Sequence, residues 1–163
     1  MKKIFAVTIM LVIICSGSVY ADGCKIYPGV MGVRANASQP VPSESWGALG
    51  NPDSKNTLAM ALPIVRDCNH SKLANGWVNL VDQHNNSDIS VRLISAYRDA
   101  ATGIVYGQQS PVQTTIGSGP QVQTKIFTAL GANSYSSAYY WVVLPPSYNG
   151  KHSQVISYHL NED

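Results

Sequence analysis

Charged side chains are scarce in this sequence. Asp, Glu, Lys and Arg together make up only 12% of the 163 residues, and the formal net charge is +2. Ser, Thr, Asn, Gln and Gly fill the polar positions instead, a composition typical of extracellular β-proteins. Nucleic-acid-binding proteins carry a basic surplus or a basic stripe, and this chain has neither. We therefore expect no nucleic-acid partner.

Long hydrophobic runs are also lacking, with one exception near the start. Lys2 and Lys3 precede the apolar run IFAVTIMLVII at residues 4–14, and small residues lead from there to Ala21. The run is shorter than the roughly 20 residues of a membrane-spanning helix, and its flanks are those of a signal peptide. We expect a cleaved Sec-type signal peptide at 1–21, export to the periplasm or the outside of the cell, and no membrane span afterwards. Without Lys2 and Lys3, nine basic side chains balance nine acidic ones.

Helical periodicity is missing after the signal peptide, since no stretch carries apolar residues at the i, i+3, i+4, i+7 spacing over 11 or more positions. Short runs with strand character recur instead, with turn residues between them. These runs are 58–65, 76–82, 89–97, 103–108, 122–130, 138–144 and 154–160. Seven or eight short antiparallel strands in one domain, 22–163, predict an all-β fold of the β-sandwich type. A closed β-barrel is the alternative.

Residues 28–57 show neither a helical nor an alternating pattern, and they contain several prolines and glycines. We interpret this segment as an irregular or short-stranded N-terminal cover over the strands that follow. Its one tryptophan, Trp46, is expected to anchor the segment in the core.

Cysteine is rare as well. Of three cysteines, Cys15 lies in the signal peptide, which leaves Cys24 and Cys68. An even pair in an exported chain predicts one disulfide, and the chain-entropy model gives such a bridge roughly 4 kcal/mol of stabilisation. The alternative is a lipoprotein acylated on Cys24, because Gly23 precedes it. Ala21 and Asp22 differ from the apolar lead of a lipoprotein signal, which favours the disulfide.

Two stretches resemble a group of small exported proteobacterial proteins. They are LPIVRDC at 62–68 and the C-terminal segment 139–163, which contains a Pro-Pro pair and a Ser-Tyr ending. The group carries a Cys-Pro-Val-x-Arg-Asp-like motif and has no established activity. Here Leu62 stands where the group has its cysteine before Pro63, and Cys68 follows the motif instead. The resemblance implies a β-sandwich and export, and it implies nothing about chemistry.

The segment DQHNNSD at 82–88 places oxygen and imidazole groups at alternating positions, like the start of a calcium loop. A complete EF-hand loop needs glycine at its sixth position and an acidic residue at its twelfth. Ser87 and Leu93 occupy those positions here. We therefore expect a polar hairpin loop between two strands, and no metal site.

Two other clusters could in principle carry chemistry. Asp67 and His70, beside Arg66, could form a base with an orienting carboxylate, although pairing of Arg66 with Asp67 at a strand end is the favoured interpretation. Near the C-terminus, His152, His159, Glu162 and Asp163 are potential zinc or copper ligands. The odd spacing of the two histidines puts them on opposite faces of an extended strand. We expect no catalytic residues, metal or cofactor.

The aromatic residues form the densest feature of the sequence. Six of them lie close together near the C-terminus: Tyr135, Tyr139, Tyr140, Trp141, Tyr148 and Tyr158. Strand alternation puts Tyr139 and Trp141 on one face and Tyr140 on the other. One set belongs to the core, and the other offers a stacking surface for a carbohydrate or a protein. Tyr139, Trp141, Tyr148 and Tyr158 are the candidate binding residues.

The sequence thus favours an exported binding or structural module with no catalytic activity and an unidentified ligand. The alternative is a small secreted hydrolase or metal-dependent enzyme. That enzyme would use His70 with Asp67, or the C-terminal histidines, in a shared pocket.

Overall fold

The computed structural model describes residues 25–66, 72–128, 130–131 and 137–162. The predicted signal peptide at 1–21 and the predicted Cys24–Cys68 disulfide lie outside these residues. Asp67, His70, Tyr135 and Asp163 lie outside them as well. Within the part of the chain that is described, no helix has the length and apolarity to cross a membrane.

The protein is a β-sandwich of two antiparallel sheets, which confirms the predicted fold class. One sheet, which we call the β13 sheet after one of its central strands, has seven strands: β1 (Lys25–Pro28), β3 (Ser43–Ser45), β4 (Ala48–Gly50), β6 (Lys72–Val81), β10 (Val122–Phe127), β11 (Leu130–Gly131) and β13 (Gln154–Glu162). The β12 sheet has six: β2 (Val33–Arg34), β5 (Leu58–Ile64), β7 (Ser90–Arg98), β8 (Val105–Gln109), β9 (Gln113–Thr114) and β12 (Ser137–Leu144). None of these described strands pairs with both sheets, so the alternative of a closed barrel is wrong.

The order of the strands explains which elements are central. The β13 sheet runs β10-β6-β13-β4-β3, with β1 also beside β13 and β11 also beside β6. The β12 sheet runs β2-β5-β12-β7-β8, with β9 also beside β7. Each of the seven predicted runs overlaps one of the strands β5, β6, β7, β8, β10, β12 and β13. The strands that the sequence patterns missed have only two to four residues, too few for an alternating pattern to be visible.

The core consists of the inward-facing residues of both sheets. It includes Leu58, Met60 and Leu62 of β5, Val91 and Leu93 of β7, Tyr140 and Val142 of β12, and Val78, Leu80, Val155, Tyr158 and Leu160 of the facing sheet. Alternation of inward apolar and outward residues along β5, β7 and β12 is the pattern of a strand with one buried face. This alternation also decides which aromatic residues remain accessible.

The segment 28–57 is short-stranded and takes part in both sheets, through β2 in one and β3 with β4 in the other. Trp46 is fully exposed, so the expectation that it anchors the segment in the core is wrong. The reason is the hairpin between β3 and β4, whose two-residue loop consists of Trp46 and Gly47 with φ angles of 50° and 80°. Two consecutive positive φ angles define a type I′ turn, which places its residues at the tip of the hairpin and away from the core.

Candidate functional site

The candidate aromatic residues do not form one surface. Tyr158 is buried in the core, where its hydroxyl donates to the Pro63 carbonyl at 2.9 Å, so its predicted role in a binding surface is wrong. The physical reason is a register shift in β13 between Val155 and Ser157, which lets both Val155 and Tyr158 face inward. Tyr148 lies in the connection between β12 and β13, apart from the strand that carries Tyr139 and Trp141.

Tyr139 and Trp141 lie on the outer face of the β12 sheet, and both are half-buried. Tyr140, between them, is fully buried, as strand alternation predicts. Residues two apart on one strand are separated by about 7 Å. The phenol and the indole are therefore neighbours on a central strand of the sheet.

On this outer face, the strands on either side of Trp141 place one small and one polar residue next to it. Its register partners are Ala61 on β5 and Arg92 on β7. The methyl group of Ala61 is too small to cover the indole. Arg92 is held in place because its Nη1 donates a 2.9 Å hydrogen bond to Gln109 Oε1 on β8.

A shallow depression of about 120 Å³ lies beside Trp141. Its lining includes Ser90, Arg92, Val112 and Val143. An indole and two valines provide apolar surface, while the guanidinium and the hydroxyl provide hydrogen-bonding groups. We call Tyr139, Trp141, Arg92, Gln109 and Ser90 the Trp141 face.

A second concave region lies at one end of the sandwich, and its volume is about 320 Å³. Its lining residues come from three connections: Gln83 and Asn85 from the first, Ser118, Gly119 and Pro120 from the second, and Tyr148, Asn149 and Lys151 from the third. We call this region the Tyr148 cleft. The three connections coincide with segments that the sequence marks only as turns, and nothing in the sequence indicates that they meet.

The Tyr148 wall of the cleft is a type I′ turn. Lys151 N donates to Tyr148 O at 2.9 Å, Tyr148 N donates to Lys151 O at 3.0 Å, and the φ angles of Asn149 and Gly150 are 50° and 73°. Asn-Gly is the residue pair that this turn favours. The imidazole of His84 packs against the Tyr148 ring, with 5.2 Å between the ring centroids.

Asp82 organises the opposite wall. Its buried carboxylate accepts hydrogen bonds from the main-chain N–H of His84 at 3.0 Å and of Ile89 at 3.2 Å, and from the hydroxyls of Ser153 and Thr115. Its main-chain carbonyl accepts a 2.7 Å bond from Gly119 N. Asp82 therefore ties together the connections that form the cleft.

The segment 82–88 is a polar loop, as predicted, but it is not a hairpin loop. It connects β6 of one sheet to β7 of the other, because the Asp82 carboxylate turns the chain at the end of β6. Its resemblance to a calcium loop does not extend to the side chains, since the Asp82 oxygens are occupied by protein donors and His84 Nδ1 accepts from Asn86 N at 3.1 Å. Over the described ranges, no group of three or more metal-ligating side chains is found.

The two described C-terminal histidines have different surroundings. His152 Nδ1 lies 3.3 Å from Ser43 Oγ, beside the β3–β4 hairpin. His159 is on the outer face of the β13 sheet, where its ring stacks on Trp77 with 5.4 Å between centroids. Burial lowers the pKa of His159 below its ordinary value. The structure does not bring these two histidines together in a common site.

No family model matches the chain, and a comparison with curated proteins finds no match. The assignment of function therefore rests on the geometry of the Trp141 face and the Tyr148 cleft.

Proposed function

We propose that this chain is an exported, non-catalytic binding module that recognises a glycan through the Trp141 face. The observation that carries the proposal is the position of Trp141, whose indole lies on the outer face of a central strand beside Ala61 and Arg92. Export is proposed from the N-terminal pattern of Lys2, Lys3 and the apolar run 4–14.

The chemistry of the face matches a sugar ring, which has both apolar C–H surfaces and hydroxyl groups. The indole provides a flat apolar surface with a negative quadrupole, on which the C–H face of a sugar can stack. Tyr139 extends this surface along β12 by about 7 Å, which allows contact with more than one sugar unit.

The polar groups of the face are placed to select hydroxyl groups. Arg92 presents a planar set of N–H donors and uses one of them on Gln109. This bond holds the guanidinium on the outer face of the sheet, towards β8, so that less side-chain entropy is lost when a ligand binds. Ser90 adds a hydroxyl at the edge of the depression.

The proposal is tested by titrating the ¹⁵N-labelled protein with cellohexaose, maltohexaose and chitohexaose. We expect one of these oligosaccharides to shift the indole N–H resonance of Trp141 and the amide resonances of Tyr139 and Arg92. Trp141→Ala should weaken binding by about tenfold or more, since loss of one aromatic stack costs on the order of 1.4 kcal/mol.

Trp46→Ala is the matched control, because it removes an exposed indole that lies on the other sheet's hairpin. It should leave the affinity unchanged. An equal loss in both variants would show that binding does not depend on the Trp141 face. Absence of any resonance shift on this face with all three oligosaccharides would contradict the proposal.

A further inference from the structure

The Tyr148 cleft uses none of the residues of the Trp141 face, and its volume of about 320 Å³ lies within the range of small-molecule sites. We propose that it is a separate binding site for an acidic sugar, a hydroxylated ring that carries one carboxylate. Four features of the cleft support this ligand class.

The first feature is the concentration of carboxamides. Gln83, Asn85 and Asn149 all line the cleft. A carboxamide both donates and accepts hydrogen bonds, as does a sugar hydroxyl, so the two groups are complementary in either direction. Ser118 Oγ donates to Asn85 Oδ1 at 2.8 Å, which holds this carboxamide by its oxygen.

The second feature is the sign of the charge. Lys151 contributes an ammonium group to the cleft, and none of the lining residues is acidic. The nearby Asp82 is buried, its oxygens accept from four protein donors, and it is not among the residues that line the cleft. A single ammonium without a carboxylate partner in the lining favours a ligand with one negative charge.

The third feature is the aromatic ring. Tyr148 is half-buried, and the His84 ring supports one side of it at a tilt of 58°. Support from a second ring holds the phenol in one orientation. The phenol can then contact the C–H surface of a sugar ring, which a simple carboxylate such as acetate does not have.

The fourth feature is preorganisation. The Tyr148–Lys151 wall is a type I′ turn closed by two main-chain hydrogen bonds, and Gly119 of the facing wall is bonded to the Asp82 carbonyl. The Gln123 side chain holds the preceding residues, since it accepts from Ile116 N at 2.9 Å and donates to the carbonyls of Ile116 and Gly117. Walls that are already ordered lower the entropic cost of binding.

The test is an NMR titration of the ¹⁵N-labelled full mature chain with D-glucuronate, D-glucose and acetate as separate probes. Glucuronate should shift the amide resonances of Gln83, Asn85, Gly119, Asn149 and Lys151, with a Kd of about 1 mM or lower. Glucose and acetate should each bind at least about tenfold more weakly, because each lacks one of the two recognised groups.

Two variants test which residues recognise the carboxylate and the sugar ring of the ligand. Lys151→Gln should remove the preference for glucuronate over glucose, and Tyr148→Ala should remove the preference for glucuronate over acetate. Lys55→Gln is the matched control, because Lys55 is exposed on a different loop and should not affect either preference.

Three results would overturn the proposal. Equal binding of glucose and glucuronate would show that the carboxylate is not recognised. Equal binding of acetate and glucuronate would define a simple anion site. No shift of the cleft resonances with glucuronate at about 50 mM would show that the cleft does not bind this class of ligand. None of these results depends on whether the Trp141 face binds a glycan.

Discussion

The hydroxyl of Tyr140 donates a 2.7 Å hydrogen bond to the main-chain carbonyl of His159, across the core from one sheet to the other. The hydroxyl occupies the space beside Gly76, where a Cβ atom would lie 1.9 Å from it. Tyr158 makes the reciprocal connection, from the β13 sheet to the Pro63 carbonyl of the β12 sheet. Two tyrosines thus link the sheets in opposite directions, Tyr140 from β12 to β13 and Tyr158 from β13 to β5.

Tyr140→Phe should therefore destabilise the protein. The substitution removes the bond to His159 and keeps the aromatic packing against Phe127. We expect a loss of about 1 kcal/mol in the free energy of unfolding, measured by urea denaturation. Tyr148→Phe, at a half-buried loop position, is the control and should change the stability little. Equal values for the two variants would contradict a structural role for the Tyr140 bond.

Asp82→Ala should be more damaging, because it removes the acceptor of the Ser153 and Thr115 hydroxyls and of the His84 N–H. Hydrogen bonds to a charged group contribute about 1.5–3 kcal/mol, so we expect a total loss of at least about 3 kcal/mol. Limited proteolysis should show new cleavage near Thr115, whose hydroxyl is bonded to Asp82. Asp88→Ala is the control in the same loop, since Asp88 is exposed. A loss no larger than that of the control would show that Asp82 does not organise the loop.

Trp46→Asn should stabilise the protein. Trp46 has a φ angle of 50° and is fully exposed, so it has the cost of a left-handed conformation without the benefit of burial. Asn adopts this conformation more readily, and we expect a gain of about 0.5–1 kcal/mol, detected as a rise in Tm. Trp46→Ala is the control, because it also removes the indole, whereas Ala has no preference for a positive φ angle. A Tm that rises equally with Ala would show that backbone strain is not the cause.

Stability should decrease below about pH 6.5 because of His159. Burial lowers the pKa of this group in the folded protein below the value of 6.5 that applies to the unfolded chain. The unfolded state then binds more protons over the interval between the two values, so stability is fully present above pH 6.5 and is lost as the pH falls towards the folded pKa. His159→Gln should flatten the dependence of Tm on pH. A slope that is unchanged in His159→Gln would assign the pH dependence to other groups.

The predicted Cys24–Cys68 disulfide is tested by the intact mass of the protein purified from its native compartment, with and without reductant and alkylation. We expect a chain that starts at Asp22 and shows two reactive thiols only after reduction. An acylated Cys24 with a free Cys68 would instead define a lipoprotein. In that case reductant would leave the Tm unchanged.

The strands with long alternating patterns were predictable from local sequence. Along β7 and β12, one face must be apolar to pack against the other sheet, and this requirement appears directly in residues such as Val91, Leu93, Tyr140 and Val142. Strand β10 is an exception to this requirement. Its apolar residues Val122 and Ile126 are exposed, whereas Gln123, on the opposite face, is hydrogen-bonded to Ile116 and Gly117 of the loop beside it.

The candidate site was only partly predictable, because local sequence does not determine the register and pairing of the strands. That Tyr139 and Trp141 share a face follows from the two-residue period of a strand, whereas the burial of Tyr158 depends on a register shift in β13 that no local pattern reveals. Trp77 and His159 also form a stack that sequence analysis missed. They are far apart in the chain, and only strand pairing makes them neighbours.

The sequence by itself determined the class of fold, because strand periodicity and turn residues are local properties that follow from the geometry of the extended chain. Only the tertiary structure decided which aromatic residues lie in the core, which lie on the outer face of β12, and which three connections meet to form the Tyr148 cleft. Those outcomes depend on the order of strands in the two sheets and on the network around buried Asp82. Both depend on contacts between residues distant in the chain, and no window of the sequence contains the partners together.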